Sequence, residues 1–204
     1  MFTGIIKKIS TIKKISQNNG SFFVVIHTPR GWLLERGESI LINGICTTVQ
    51  KIGKTDFEIE WMPETIKKTI VSHFIKGMTI NLERALSASD RFGGHFLLGH
   101  VDAVGEALFI KNEGESRMIK FSAPSNIIKY IVPKGAIALD GVSLTVVDVK
   151  KNWFSVALMN YTLKNTNFDT IKIGSKVNIE TDIFARYVEK IIKKKNYAKK
   201  NKKK

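Results

Sequence analysis

The stretch NGICTTV at residues 43–49 returns as DGVSLTV at residues 140–146, which lies 97 positions later (140 − 43). The same offset relates three further pairs: Met62 to Met159, Thr65 to Thr162, and residues 81–83 (NLE) to residues 178–180 (NIE). Separated matches that hold one offset indicate an internal duplication. The chain is therefore interpreted as two tandem copies of one small module.

Short apolar and β-branched runs fill each copy, separated by glycines and polar pairs. The runs of the first copy cover residues 22–26, 39–42, 46–52, 57–61 and 79–82; those of the second cover residues 119–122, 136–139, 143–149, 154–158 and 176–179. Asn43-Gly44 and Asp140-Gly141 lie between such runs and are typical of hairpin turns with positive φ. About six short strands per copy predict an all-β fold of two tandem six-stranded closed barrels.

The end of the chain has a different pattern. Residues 183–194 (IFARYVEKIIKK) place apolar residues at helical spacing, which predicts an amphipathic C-terminal α-helix that makes oligomer contacts. Residues 195–204 are rich in lysine, and we expect a solvated, disordered tail. The expected division is an N-terminal barrel at 1–97, a C-terminal barrel at 98–182, the helix at 183–194 and the tail at 195–204.

Composition excludes several classes of protein. Nine lysines between residues 190 and 204 supply most of the net charge of +15, so the charge belongs to the tail. The tail has no arginine and a single aromatic residue, Tyr197, so no nucleic-acid partner is expected. A single cysteine excludes a disulfide framework and a multi-thiolate metal site. No apolar run of membrane-spanning length and no signal peptide are found, so we expect a cytoplasmic protein without a membrane partner.

Six motifs occur in order along the chain and together identify a resemblance. They are residues 1–6 (MFTGII), 43–49 with Cys46, 93–102 (GGHFLLGHVD), Lys134-Gly135, 140–146 with Ser143, and 178–182 (NIETD). With these motifs the chain resembles the riboflavin synthase family over about residues 1 to 190. The resemblance implies a homotrimer whose subunits have two Greek-key barrels and a C-terminal helix.

The resemblance also implies a reaction. Members of this family dismutate two molecules of 6,7-dimethyl-8-ribityllumazine into riboflavin and 5-amino-6-ribitylaminouracil by moving a four-carbon unit. They use no cofactor and no metal, and each active site binds two lumazines between the N-terminal barrel of one subunit and the C-terminal barrel of its neighbour. An association with lumazine synthase is left open.

Candidate site residues follow from the matched motifs. The resemblance implies five catalytic candidates: Cys46, His100, Ser143, Asp140 and Asp182. The implied substrate-binding residues are Phe2, Gly4, Ile5, Ile6, Thr47, Thr48, Glu60, Met62, Glu64, Thr65, Gly99, Val101, Lys134, Leu144, Thr145, Met159, Tyr161 and Thr162. Backbone amides, hydroxyls and carboxylates of this set suit a pyrimidinedione edge and a ribityl chain, and Lys134 could hold negative charge.

Differences between the copies are informative. Cys46 is replaced by Ser143 and Asn43 by Asp140, which suggests separate donor and acceptor roles for the two copies. Each difference also has an ordinary interpretation. A lone cysteine in a strand usually fills a core, and Asp140 precedes a glycine, so we expect a turn role for it first and a catalytic role second. His95 is expected to be structural.

One departure from the family concerns the second copy. Asn160-Tyr161 stands where the family usually has proline followed by histidine or glutamate, which affects the fine geometry of that site. Two alternatives to this enzyme have related folds: a lumazine-binding or fluorescent relative without catalysis, and a flavin-dependent oxidoreductase. The second would need a Gly-rich nucleotide-binding turn, which the sequence lacks. The intact motif at 140–146 favours the enzyme.

Overall fold

The computed structural model describes residues 1–201, with side chains through Lys194; residues 202–204 of the expected tail lie outside the described part. The first barrel has strands β1 (Lys8–Asn18), β2 (Ser21–His27), β3 (Ser39–Ile42), β4 (Ile45–Ile52), β5 (Asp56–Trp61) and β6 (Thr79–Arg84). All neighbours pair antiparallel, and the barrel closes in the order β1-β2-β5-β4-β3-β6. Helix α1 (Pro63–Lys68) and a 3-10 helix (Ile70–His73) connect β5 to β6.

The second barrel repeats this plan. Its strands are β7 (Ala103–Glu113), β8 (Ser116–Ser122), β9 (Ala136–Leu139), β10 (Val142–Val149), β11 (Trp153–Met159) and β12 (Lys176–Thr181). They close in the order β7-β8-β11-β10-β9-β12, which matches the first barrel strand for strand. Helices α2 (Ser125–Ile128) and α3 (Asn160–Lys164) and a 3-10 helix (Asn167–Thr170) lie in its connections. The prediction of two tandem six-stranded barrels is confirmed.

The turn chemistry is also confirmed. Asn43 and Asp140 have φ of 44° and 45°, and the glycines after them have φ of 79° and 78°. Strands β1 and β7 were not found from the sequence. Most residues of these two strands are exposed or only partly buried, so neither contains a clear apolar run. Each also has a bulge, between Ile12 and Lys14 in β1 and between Ala107 and Phe109 in β7.

Three hydrophobic clusters stabilise the chain. One fills each barrel, around Phe57 and Ile59 in the first and around Phe121 and Phe154 in the second. A third, smaller cluster joins the barrels and consists of Phe2, Leu41, Leu97 and Ala138. Phe2 is fully buried, and its backbone pairs with Leu97 through hydrogen bonds of 2.9 and 3.1 Å. The N-terminus is therefore built into the contact between the barrels.

A buried polar network, which we call the joint, also connects the barrels. The Asn43 Oδ1 atom accepts from the Asn81 amide at 2.7 Å, and Asp140 Oδ1 accepts from the Asn178 amide at 2.8 Å. Each of these asparagines then crosses to the other barrel: Asn81 Nδ2 donates to the Asp140 carbonyl at 3.0 Å, and Asn178 Nδ2 donates to the Asn43 carbonyl at 2.8 Å. The two hairpin turns are thus linked by two equivalent hydrogen bonds, one in each direction, with pseudo-twofold symmetry.

The joint is not fully symmetric. Asp140 Oδ2 accepts from Asn167 Nδ2 at 2.7 Å, whereas Ile70 occupies the position equivalent to Asn167 in the first copy. Asn43 Nδ2 is buried and has no hydrogen-bond partner among the described residues. The difference between Asn43 and Asp140 therefore has a structural explanation. In the second copy the Asp140 carboxylate accepts from Asn167, whereas in the first copy the apolar Ile70 replaces that asparagine.

Helix α4 (Ile183–Asn201) packs against the second barrel and continues beyond the expected end at Lys194, into the segment expected to be a disordered tail. Arg186 pairs with the buried Asp102 carboxylate at 2.9 Å, and Glu189 binds Lys129 at 2.6 Å and the Tyr130 hydroxyl at 2.5 Å. Five apolar side chains of the helix are more than half exposed: Phe184, Tyr187, Val188, Ile191 and Ile192.

No helix in the described part of the chain combines the length and apolar character needed to cross a membrane.

Candidate active site

Cys46 lies half-buried on β4 between two adjoining cavities, which together we call the Cys46 site. One cavity, of about 260 Å³, is lined on one side by Glu64, Thr65 and Lys68 and on the other by residues 99–101. The second, of about 280 Å³, is lined by predicted substrate-binding residues of β4 and β5 and the start of α1: Thr47, Thr48, Glu60, Met62 and Thr65. The structure therefore brings the first-copy candidates together around the cysteine.

Residues 97–101, which we call the central strap, close the Cys46 site from the side of the second barrel. The Cys46 amide donates to the Gly99 carbonyl at 2.9 Å. Gly99 has φ of +77°, and a Cβ atom there would lie 2.6 Å from the Cys46 Cβ atom. Only glycine permits this approach. The strap places His100 and Val101 in the cavity wall.

The charges of the Cys46 site are unevenly placed. Burial raises the pKa of the Cys46 thiol above its ordinary value, so the thiol is neutral near pH 7. The side chain of Ser39 opposes this rise in pKa, and its effect is smaller than that of burial. At the rim, Glu64 pairs with Lys68 at 2.7 Å, and this bond lowers the pKa of Glu64. A carboxylate and a neutral thiol thus face the same cavity.

Ser143 occupies the equivalent place on β10 and defines the Ser143 site. Its amide donates to the Gly4 carbonyl at 2.8 Å, and a Cβ atom on Gly4 (φ +77°) would lie 2.6 Å from the Ser143 Cβ atom. Residues 1–6, the N-strap, therefore cover Ser143 as the central strap covers Cys46. Ile5 is partly exposed beside it, and Ile6 packs on the second barrel core.

His95 gives the Ser143 site a group that the Cys46 site lacks. His95 Nδ1 lies 2.7 Å from Ser143 Oγ, and the buried Nε2 atom has no hydrogen-bond partner among the described residues. Burial lowers the pKa of His95, although the nearby Asp182 carboxylate opposes this, so a neutral imidazole faces the serine. This histidine, which the sequence analysis took as structural, is suited to accept a proton through Ser143. Its place after Gly93-Gly94, in the matched 93–102 motif, was the available signal.

Another cavity lies next to α4, and neither Ser143 nor His95 lines it. This cavity, of about 660 Å³, is lined by Asp182, Gly135 and Ala136 together with apolar side chains of α4. Asp182 Oδ1 also accepts from the Phe184 amide at the helix start at 2.9 Å. Lys134 is exposed next to this cavity and has φ of +65°, a conformation that lysine seldom takes. Backbone strain of this kind is often retained at functional positions.

Four predicted site residues have buried side chains. Phe2 is fully buried in the contact between the barrels, so its side chain supports the N-strap from behind. Thr47 is buried, and its hydroxyl accepts from the Trp61 indole N–H at 2.6 Å. Leu144, at the equivalent position, is in the second barrel core. Asp140 is in the joint, where burial raises its pKa to about 7, and it does not line either Cys46 cavity.

The remaining second-copy candidates lie around the end of β11. Thr145 is exposed on β10, and Met159 and Tyr161 are 60% and 79% exposed at α3. Thr162 is half-buried, and its carbonyl accepts from the Thr166 hydroxyl at 2.7 Å. In the first copy the positions of Tyr161 and Asn165 hold the ion pair of Glu64 and Lys68, and Glu60 aligns with Ala157. The Ser143 site is therefore less charged than the Cys46 site.

Among the side chains that the structure describes, no three His, Cys, Asp or Glu residues come together as a metal site.

Comparison with known proteins agrees with this geometry. The Lumazine binding domain family matches the chain twice, at residues 3–85 and 98–182. The riboflavin synthase of Actinobacillus pleuropneumoniae is 39% identical over 197 residues, covering 96% of this chain and 91% of its own length. That of Bacillus subtilis is 38% identical over 199 residues, covering 96% and 92%. The chain belongs to the riboflavin synthase family.

Solved structures of a related protein share the fold. LumP in complex with riboflavin superimposes with a TM-score of 0.83 at 27% identity, covering 89% of this chain and 99% of LumP. LumP in complex with 6,7-dimethyl-8-(1'-D-ribityl) lumazine gives a TM-score of 0.81 at 26% identity. The two-barrel architecture of this chain is thus also found in LumP, whose structures contain a lumazine or a flavin.

Proposed function

We propose that this protein is a transferase that dismutates two molecules of 6,7-dimethyl-8-ribityllumazine into riboflavin and 5-amino-6-ribitylaminouracil. One lumazine gives a four-carbon unit to the other, and the two products together contain all the atoms of the two substrates. The reaction therefore consumes no water, oxidant or reductant. The observation that carries the proposal is the duplicated site, with one strap-covered position in each barrel, in a chain of the riboflavin synthase family.

The two sites divide the chemistry. Holding two reactants in register can supply much of the barrier reduction for a bimolecular reaction. The 7-methyl group of a lumazine is acidic, so Ser143 with the neutral His95 can accept its proton. The neutral Cys46 thiol supplies a donor on the opposite ring. His100 lines the Cys46 site, and Asp182 acts on His95 through its charge. Lys134 precedes Gly135, which lines the same cavity as Asp182, and the lysine can stabilise developing negative charge.

We propose that each active site forms between two subunits of a homotrimer. The cavities next to Cys46 are lined by residues of the first barrel and the central strap, and Ser143 lies under the other strap. The exposed apolar residues of α4 next to the Asp182 cavity support an oligomer contact there. Tyr187→Glu with Ile191→Glu is expected to dissociate the oligomer, as light scattering would measure; a trimer that survives both charges would contradict this role of α4.

The domain division at 1–97 and 98–182 belongs to the same proposal, as do the cytoplasmic location and the small-molecule substrate as the main partner. The two family matches, which begin at residues 3 and 98, support that division. Each domain contributes one lumazine site, and each also contributes the strap that covers the other domain's site.

The test is incubation of the purified protein with 6,7-dimethyl-8-ribityllumazine alone in buffer containing EDTA. Riboflavin and 5-amino-6-ribitylaminouracil are expected in equal amounts, measured by absorbance and chromatography against a sample without protein. The Ser143→Ala variant serves as the matched control. Lumazine binding without riboflavin would contradict the enzyme and favour a binding protein of the LumP kind, for which the exposed Tyr161 in the second copy would be the reason.

A further inference from the structure

Two buried carboxylates lie at equivalent places in the two barrels, outside the proposed catalytic groups. Glu83 is on β6 and Glu180 is on β12, and they are 3% and 6% exposed. Among the ion pairs of the described residues neither takes part. Burial of a carboxylate is costly unless hydrogen bonds replace its hydration. The partners of these two side chains therefore indicate what they do.

Their partners are the backbone amides of the two straps. Glu83 accepts from the Thr3 amide at 2.8 Å, the Thr3 hydroxyl at 2.7 Å and the Gly4 amide at 3.0 Å. Glu180 accepts from the Leu98 amide at 2.7 Å and the Gly99 amide at 2.9 Å. Both oxygen atoms of each carboxylate are used. Each carboxylate thus fixes two successive peptide units of a segment that has no place in a sheet of either barrel.

The connection is crossed between the barrels. Glu83 belongs to the first barrel, but the glycine it holds, Gly4, binds Ser143 of the second barrel. Glu180 belongs to the second barrel, but Gly99 binds Cys46 of the first. A shift of either strap moves the backbone atoms that contact the reactive side chain, because the glycine Cα atoms leave no room at the serine or cysteine.

We propose that Glu180 is a positioning residue for the Cys46 site and Glu83 a positioning residue for the Ser143 site, so that each barrel sets the geometry of the other barrel's site. The inference rests on the proposed function for its effect on lumazine. The crossed geometry itself does not depend on any ligand. Glu180 also raises the pKa of Cys46 through its charge, although less than burial does, and Glu180→Asp keeps that charge while it shortens the side chain.

Cys46 is the only cysteine of the chain and reports on its own site. The experiment compares full-length Glu180→Gln, Glu83→Gln and the exposed control Glu106→Gln, and measures the rate of Cys46 alkylation by iodoacetamide with and without 6,7-dimethyl-8-ribityllumazine. In a glutamine variant the side-chain NH2 group replaces one carboxylate oxygen and faces a strap N–H group, so one hydrogen bond is lost. Glu180→Gln is expected to alkylate about five to ten times faster than wild type, with weaker protection by lumazine. Glu83→Gln and Glu106→Gln are expected to match wild type.

A second reporter has its cysteine at position 143, and the effects of the two glutamate variants on alkylation are expected to be reversed. In a Cys46→Ser, Ser143→Cys chain, Glu83→Gln is expected to speed alkylation and Glu180→Gln to leave it unchanged. Equal effects of both glutamates on both reporters would overturn the proposal, because a general loss of stability would have that result. Unchanged alkylation in Glu180→Gln would overturn it too. Glu180→Asp, which keeps the charge but shortens the side chain, is measured in parallel with thermal melting, and the same selective rise is expected of it.

The two proposals fail in different ways. If wild-type protein neither binds lumazine nor forms riboflavin, the proposed function is wrong, while the alkylation rates without ligand still test the crossed straps. If wild-type protein forms riboflavin but the alkylation rates show no crossed pattern, the function stands and the positioning role of the two glutamates is wrong.

Discussion

Cys46 and Ser143 occupy the same position on β4 and β10, and a strap glycine binds the backbone amide of each. Their side-chain surroundings differ. Ser143 Oγ is 2.7 Å from a neutral histidine, whereas Cys46 has a raised pKa and lies in cavities lined by Glu60 and Glu64. The two sites share one backbone frame and differ in their side chains, with a neutral imidazole beside Ser143 and a neutral thiol at Cys46. In the proposed mechanism this frame positions two like substrates, and the side chains treat them differently.

The largest expected effect comes from removing the base. Ser143→Ala and His95→Gln are each expected to lower kcat by about 10² to 10⁴-fold, with little further loss in the double variant, since the pair acts as one unit. Cys46→Ala is expected to reduce turnover far more than lumazine binding, and Cys46→Ser to retain most activity because a hydroxyl can also donate. Steady-state kinetics and lumazine titration measure both. If Cys46→Ala weakens binding as much as turnover, Cys46 is a packing residue.

The joint offers a second comparison, between Asn43 and Asp140. Burial raises the pKa of Asp140 to about 7, so the folded protein holds this proton more tightly than the unfolded chain does. The stabilisation from Asp140 is therefore complete below its ordinary pKa and is lost as the pH rises through about 7. Asn43, at the equivalent position, cannot titrate.

Exchanging these residues tests the joint. Asp140→Asn is expected to flatten the fall in unfolding free energy between about pH 4 and 7 and, because an amide then faces Asn167, to cost about 1 to 3 kcal/mol at pH 8. Asn43→Asp buries a carboxylate in the first copy, where Ile70 stands at the position equivalent to Asn167 and its side chain cannot donate a hydrogen bond. This variant is expected to lower the free energy of unfolding by about 3 to 5 kcal/mol at pH 8. Urea unfolding across the pH range measures both. Equal pH profiles in the wild type and Asp140→Asn would show that Asp140 does not titrate as a buried acid.

Much of the fold could be predicted because matching segments of the sequence show the duplication directly. The offset of 97 aligned the strands, and the Asn-Gly and Asp-Gly pairs located the turns that now form the joint. Strands β1 and β7 were not predicted because most of their residues are exposed or only partly buried, so neither has an apolar run like those of the other strands.

The site was predictable only in part. The resemblance selected Cys46, Ser143 and the straps, but it gave no account of Glu83, Glu180 or His95. Their importance depends on partners far away in the sequence: Thr3 for Glu83, Leu98 for Glu180 and Ser143 for His95. A signal for the glutamates was present, since both occur in the Asn-x-Glu motif that is duplicated at the offset of 97.

A smaller effect is expected from Lys134, whose equivalent in the first copy is Gly37. Both have positive φ, 65° and 88°, but only the glycine takes it without strain. Lys134→Gly is expected to raise the free energy of unfolding by about 1 kcal/mol and to raise KM for lumazine. Gly37→Lys, where a Cβ atom meets nothing within 4 Å, is expected to lower the unfolding free energy by a similar amount. Chemical unfolding and kinetics measure the pair. If Lys134→Gly raises the free energy of unfolding but leaves KM unchanged, Lys134 does not contribute to lumazine binding.

In the proposed mechanism, one Cys46 site and one Ser143 site from neighbouring subunits work together. The direct measurement is activity of a mixed oligomer of Cys46→Ala and Ser143→Ala chains, co-expressed with two different affinity tags and purified through both. Only a shared site can join the intact Ser143 of one chain to the intact Cys46 of the other. Riboflavin formation well above that of either variant alone is the predicted result. Activity no higher than that of the two separate variants would contradict the account.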